Sequence, residues 1–249
     1  MAKETIAEYN LLFRNTDKVI AGDLKKLMQI ASVAALNEGS ATHVDVIKRV
    51  CTEAGWGYYY SGESDWIIWD KKVWKATGRQ KMWSISPSAA SLGLTFKYSP
   101  ARRMIRRPLK HIKTGAVHAF FCTHIVQGYA KPEGTFHDKF EAYKDLAAKA
   151  GILRVDNITQ RWVDRPETSE FDHLLGDMNV RQANKQEPWY PANVWTDQWV
   201  PDTQPGSIDW MMHSRRSVRH GLKVVKRYTL GKTAGFDSDH RFNAKTISW

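Results

Sequence analysis

Six short segments close an apolar run with an acid, an amide or an imidazole. They are Tyr9-Asn10, Leu36-Asn37-Glu38, Cys122-Thr123-His124, Gly176-Asp177-Met178-Asn179, Ile208-Asp209-Trp210 and Ser238-Asp239-His240. A polar residue after a strand is commonplace, so one such segment decides nothing. Together they supply side-chain oxygens and two imidazoles, a donor set that suits a hard cation and acid–base work on a phosphate. An imidazole exchanges protons near neutrality, and a carboxylate beside it fixes its tautomer.

Those segments need strands and helices to bring them together. Leu24, Leu27, Ile30 and Ala31 keep helical spacing after Asp23, and Ser32 to Leu36 follows as a short buried strand. A second helix is expected from His43 to Ala54, with Val44, Ile47 and Val50 on one face and Gly55 as its stop. Asp65 to Asp70 and Ala116 to His124 are compact apolar runs bounded by turn residues, hence strands. The clearest helical pattern covers His137 to Ala150, and Phe171 to Leu175 reads as a strand leading into Gly176-Asp177. Late strands are expected at Ser207 to Met212, Leu222 to Tyr228 and Ala244 to Ser248. The stretch before Asn10 is a poor strand by pattern, because Glu4 and Glu8 interrupt it. Strands mixed with a few helices point to a layered α/β or α+β domain.

Composition narrows the function. A chain of 249 residues can bury a sizeable core without covalent staples, and no repeat or linker divides it. Two cysteines, Cys51 and Cys122, argue against a disulfide framework or a Cys-rich zinc site. The N-terminus lacks a signal-peptide pattern and no window reaches the roughly 18 apolar residues of a membrane span, so a soluble, cytoplasmic, non-membrane protein is expected. The 37 Lys and Arg against 26 Asp and Glu leave a formal charge of +11, which attracts polyanions.

In order, these segments resemble the endonuclease/exonuclease/phosphatase (deoxyribonuclease I-like) superfamily. Its hallmarks run as an early YN, a QE closing a short strand, THL, GDxN, ID before a strand, and a C-terminal SDH. GDxN alone is a weak signal; followed by ID and a near-terminal SDH it is strong, and the resemblance covers nearly the whole chain. Asn37 stands where the pattern has Gln, a conservative change. The resemblance implies an α/β (α+β) fold, a four-layer αββα sandwich of two packed mixed sheets flanked by helices, in a single catalytic domain spanning residues 1–249. It implies Glu38 as the principal magnesium ligand, Asn10 and Asp239 adjoining the metal, and manganese as an alternative ion. His240, oriented by Asp209, would activate water or stabilise the charged phosphorane. Asp177 would position or deprotonate the nucleophile, Asn179 would bond a phosphate oxygen, and His124 would hold that phosphate or protonate the leaving group. Which group is the base is left open. His118 shares a strand face with His124, but the Thr-His pair marks His124 and leaves His118 structural. Some members pair the first catalytic histidine with a carboxylate, for which Glu63 and Asp65 are both candidates.

Two basic clusters suggest the substrate. One runs from Lys97 through Arg102, Arg103, Arg106, Arg107 and Lys110 to Lys113, the other from Arg215 and Arg216 through Arg219 and Lys223 to Arg227. Such clusters track a phosphate backbone, and Arg102, Arg103, Arg106, Arg107, Arg215 and Arg216 are the candidate nucleic-acid contacts. A monomeric, magnesium-dependent nuclease, acting on DNA before RNA, is the first reading. The others are a phosphatase or phosphodiesterase of small or lipid phosphate esters, and an inactive nucleic-acid-binding module.

Overall fold

The computed structural model describes residues 1–86, 102–124, 170–177, 199–201, 209–230, 235–238, 240 and 242–249. The strands are β1 (Lys3–Asn10), β2 (Val33–Asn37), β3 (Trp56–Tyr60), β4 (Trp66–Asp70), β5 (Trp74–Ala76), β6 (Lys81–Ser86), β7 (Arg102–His111), β8 (Val117–His124), β9 (Phe171–Asp177), β10 (Trp199–Pro201), β11 (Asp209–Ser214), β12 (Lys223–Leu230) and β13 (Phe242–Ser248). Helices α1 (Asp17–Ile30), α2 (Val44–Glu53) and α3 (Arg215–Arg219) complete the described elements, with a 3-10 turn at Ala41–His43.

The strands form two mixed sheets. The first has the order β12-β13-β1-β2-β4-β3; the second has β10-β11-β9-β8-β7-β5, with β6 also paired to β7. Every pairing is antiparallel except β1 with β2 and β8 with β9, one parallel pair at the centre of each sheet. Period-two alternation then sorts the side chains. Tyr9, Ala34, Leu36 and Ile68 face outward and pack under α1 and α2, against Leu24, Leu27, Ile47 and Val50. Their neighbours Ile6, Val33, Ala35 and Ile67 face the second sheet and meet Ile105, Leu109, Phe120, Leu175 and Met211.

Helix α1 starts six residues earlier than its apolar spacing suggests. The Thr16 side chain caps it by accepting from Val19 N–H at 3.4 Å, and Asp17 sits in its first turn. Gly22 obscures this first half by its poor helix propensity. Strand β1 forms despite its acids: Glu8 is fully buried between the sheets, where Asn243 reaches its Oε2 at 3.5 Å. The basic stretch expected on the surface contains β7, whose Arg106 is 2% exposed, with its guanidinium over the Phe121 ring. The helix expected at residues 137–150 lies outside the described residues. Among the described residues no helix is long and apolar enough to cross a membrane.

The inter-sheet layer also carries a buried chain of imidazoles. His118 Nδ1 lies 2.9 Å from His173 Nε2, and His173 Nδ1 lies 2.9 Å from His213 Nδ1. Burial holds all three well below the ordinary histidine range, and the nearby Lys245 charge pushes His173 and His213 the same way. These rings are therefore neutral and hydrogen-bond one another inside the core.

Candidate active site

Strand direction gathers the polar strand ends. Asn10 and Asn37 close the parallel pair β1–β2 in register, and His124 and Asp177 close the parallel pair β8–β9 in register. Strand β11 runs the other way, so its first residue, Asp209, lies opposite Asp177. Strand β13 is antiparallel to β1, which brings the segment just before it, containing His240, back to the Asn10 end. All these groups thus meet at one edge of the sandwich.

Glu38 follows β2 in the left-handed region, at φ 58°, a conformation that costs a non-glycine residue about 1–2 kcal/mol. Its carboxylate is held on both sides: Asn10 Nδ2 donates to Oε1 at 3.2 Å and Phe13 N–H donates to Oε2 at 3.0 Å. Asn10 Nδ2 also donates to Asp177 Oδ2 at 3.3 Å, while its Oδ1 accepts from Leu12 N–H at 3.0 Å. Asn10 therefore links the carboxylates of Glu38 and Asp177.

Asn37 does more than its conservative replacement suggests. It donates through Nδ2 to Asp65 Oδ1 at 2.8 Å and to the Thr123 carbonyl at 3.1 Å, and it accepts from Asp177 N–H at 3.0 Å. One fully buried amide thus clamps β2 to both strands of the facing parallel pair. In the sequence it shows as a polar residue ending an otherwise apolar strand, at the position where the resemblance has Gln.

His240 and Asp209 form a dyad. His240 Nδ1 lies 2.9 Å from both Asp209 oxygens and 4.0 Å from Asp177 Oδ2. The His240 backbone N–H donates to Ser238 Oγ at 3.1 Å, and Ser238 N–H donates to the Tyr9 hydroxyl at 3.3 Å. That hydroxyl in turn donates to buried Asp23 Oδ2 at 2.6 Å, and the same oxygen accepts from Asp237 N–H at 3.1 Å. Tyr9 and Asp23 therefore anchor the loop that presents His240. Asp23 is a residue that apolar spacing alone placed at a helix start.

On the other side, His124 is 3% exposed, with Nε2 3.3 Å from Asp177 Oδ2 and Nδ1 2.9 Å from Arg102 Nη1. Of its two candidate carboxylate partners, Glu63 pairs with Arg103 at 3.1 Å, whereas Asp65 stays buried behind Asn37 and close enough to interact with His124 and Arg102. Arg102 and Arg103 lie at this edge. Arg106 lies further down β7, near Asp172. Arg107 lies over the Trp69 ring. Arg215 and Arg216 follow the far end of β11, five residues from Asp209, so the second cluster begins at the opposite end of the sheets. Asn179 and Asp239 lie outside the described residues.

Carboxyls are crowded beneath this edge. Burial pushes Asp209 up to about 6, with the Asp177 charge adding and the His240 hydrogen bond opposing. Burial likewise pushes Asp65 up to about 6 against His124, Arg102 and Asn37. Glu8 is raised well above the carboxylate range by burial and then by Asp209 and Asp177. Such mutual repulsion is what a bound cation relieves. Ligand atoms of Glu38, His124 and Asp177 lie within 4.8 Å of one another, and so do those of Asp177, Asp209 and His240. Oxygen-rich donors around a negative edge fit a hard divalent ion such as magnesium.

No family model matches the chain, and no curated protein matches it. Solved structures match it along its whole length. D. rerio TDP2 complexed with a single-strand DNA product has a TM-score of 0.63 at 14% identity, covering 100% of both chains. An endonuclease/exonuclease/phosphatase family protein from Bacteroides thetaiotaomicron has a TM-score of 0.61 at 15% identity, covering 99% of this chain and 98% of that one. The mannosyl-6-phosphatase Bt3783 of the same species has a TM-score of 0.59 at 16% identity, covering 99% and 100%. At these identities the likeness establishes the fold, which is the endonuclease/exonuclease/phosphatase sandwich.

Proposed function

We propose that this chain is a magnesium-dependent phosphodiesterase that cleaves nucleic acid, DNA before RNA. The observation that carries the reading is the Asp209–His240 dyad, which stands 4.0 Å from the Asp177 carboxylate at an edge also holding Glu38, Asn10 and His124. Glu38 would hold the metal, with Asn10 and Asp239 beside it and manganese as a substitute. When bound, the metal polarises the scissile phosphate and offsets charge that develops on it.

The protein's own groups take up the rest of the chemistry. Asp209 accepts the Nδ1 hydrogen of His240, which leaves Nε2 to take a proton from attacking water or, once charged, to hold the phosphoryl oxygen. Asp177, linked through Asn10 to Glu38, orients the nucleophile. Asn179 and His124 bond phosphate oxygens. The formal charge of +11 draws a polyanion to an edge that is itself acidic, with Arg102 and Arg103 beside it. A single-strand DNA product is held on the same fold in D. rerio TDP2, which supports a polymer substrate.

The test is cleavage of supercoiled plasmid, single-stranded DNA and RNA with magnesium, with EDTA, and with His240→Ala. Magnesium-dependent cutting should appear, and the substitution should lower it by about 10²–10⁴-fold. If nothing is cut while small phosphate monoesters are hydrolysed, the polymer reading fails and a phosphatase remains. If DNA binds without any turnover, the catalytic reading fails.

A further inference from the structure

Arg102 opens β7 at the site edge, where the resemblance leads one to expect a carboxylate on the first histidine. Its Nη1 lies 2.9 Å from His124 Nδ1, and both side chains are buried. Neither carboxylate candidate occupies that nitrogen: Glu63 is bound to Arg103, and Asp65 Oδ1 accepts from Asn37. A guanidinium has five donors, no acceptor, and keeps its charge throughout the physiological range. The contact therefore has one hydrogen-bonded reading, in which Arg102 donates and the Nδ1 lone pair accepts. A ring protonated on both nitrogens would set two cations and two donors against each other at this distance. With Nδ1 bare, the neutral ring carries its hydrogen on Nε2, the nitrogen 3.3 Å from Asp177 Oδ2.

We propose that Arg102 is a positioning residue that holds His124 as its neutral Nε2–H tautomer. His124 is then a hydrogen-bond donor to a phosphoryl oxygen, and neither the acid for the leaving group nor a metal ligand. Such a fixed donor gains strength as negative charge builds on the oxygen, with no proton transferred. The substrate side of this inference rests on the phosphodiesterase reading; the tautomer is a property of the protein alone.

Nitrogen NMR of the histidine rings in the wild-type protein decides the tautomer directly. His124 should show a bare Nδ1 and a protonated Nε2, and that pattern should be lost in Arg102→Met. Kinetics on a cleaved substrate should show kcat falling by up to about 100-fold in Arg102→Met, the cost of a misplaced catalytic group, with KM little changed. Arg102→Lys, which keeps a charged donor, should recover part of that loss. His124→Gln should lower kcat by the same factor for p-nitrophenyl and for alkyl leaving groups, since a lost acid would spare the better leaving group. A protonated Nδ1 on wild-type His124 overturns the proposal, and so does an Arg102→Met protein with unchanged kcat and tautomer. Should Arg102→Met fail to fold, the wild-type spectrum and the leaving-group comparison still decide. If the wild type turns over no phosphodiester, the function proposed above fails while the spectrum still tests the tautomer.

Discussion

Replacing Gly176 by alanine should damage both the sandwich and the site. Gly176 sits at φ +146°, outside the conformations that side chains tolerate, and an added Cβ would lie 1.9 Å from the Thr123 carbonyl oxygen. Real Cβ contacts stay beyond 3.0 Å, so β8 and β9 must part by about 1 Å at this register. The backbone strain alone costs about 1–3 kcal/mol. With the disturbed parallel ladder, a loss of about 3 kcal/mol is expected, which for a chain of this size lowers Tm by about 6–12 °C. Thr123 pairs with Gly176, and the next pair along is His124 with Asp177. The opening therefore falls one residue from the site, and a misplacement of about 1 Å there costs roughly 100-fold in rate. Gly221→Ala is the control: it too has positive φ, at +93°, but an added Cβ meets nothing within 4 Å. It should show the strain alone and keep its activity. Thermal melts and kcat/KM on the same substrate measure both effects. A Gly176→Ala protein with wild-type Tm and rate would refute the claim that close strand approach sets the glycine of this motif.

The buried imidazoles should make stability depend on pH. The folded pKa of His173 lies below its unfolded value of about 6.5, so its contribution is present above that pH and lost as pH falls, by about 1.4 kcal/mol per pH unit. Asp65 and Asp209, raised to about 6, act oppositely and gain stability on acidification toward about 4. His173→Gln removes one histidine and leaves the carboxyls. Urea titrations should therefore show the wild-type minus variant stability falling by about 1.4 kcal/mol per pH unit below about 6.5; a constant difference would rule out a neutral buried ring. The remote arginines should matter only for long substrates, because the five-residue rise from Asp209 to Ser214 spans about 17 Å. The double substitution Arg215→Ala, Arg216→Ala should reduce the salt slope of duplex binding by about 2 and leave dinucleotide hydrolysis unchanged. An unaltered salt slope would remove both residues from the nucleic-acid contact set.

What was legible in the sequence is whatever local pattern records. An apolar run closed by an acid, amide or imidazole marks a strand end, so Asn10, Glu38, His124 and Asp177 stood out, while Asp209 opens its strand and His240 lies in the loop before β13, both found through the ID and SDH segments. What joins them is recorded nowhere locally. Asn37 reaches a carbonyl 86 residues away, and Tyr9 supports a loop 229 residues away. These contacts exist only because two central strand pairs run parallel and two flanking strands run against them. The arginines show the converse error. A dense basic stretch reads as an exposed face that tracks a phosphate backbone, yet within β7 alternate residues face either the other sheet or the outer layer; Arg106 is buried and Arg102 is a partner of His124. Glu8 misleads too, because an acid buried in a strand breaks the apolar alternation by which strands are recognised. Glu8 sits in the inter-sheet layer, Arg102 and His124 at its edge, and Arg106 on the outer face of the second sheet over Phe121, each a polar group held inside the protein. Departures from a clean hydrophobic pattern are therefore where a sequence of this fold is best searched for the residues that support its site.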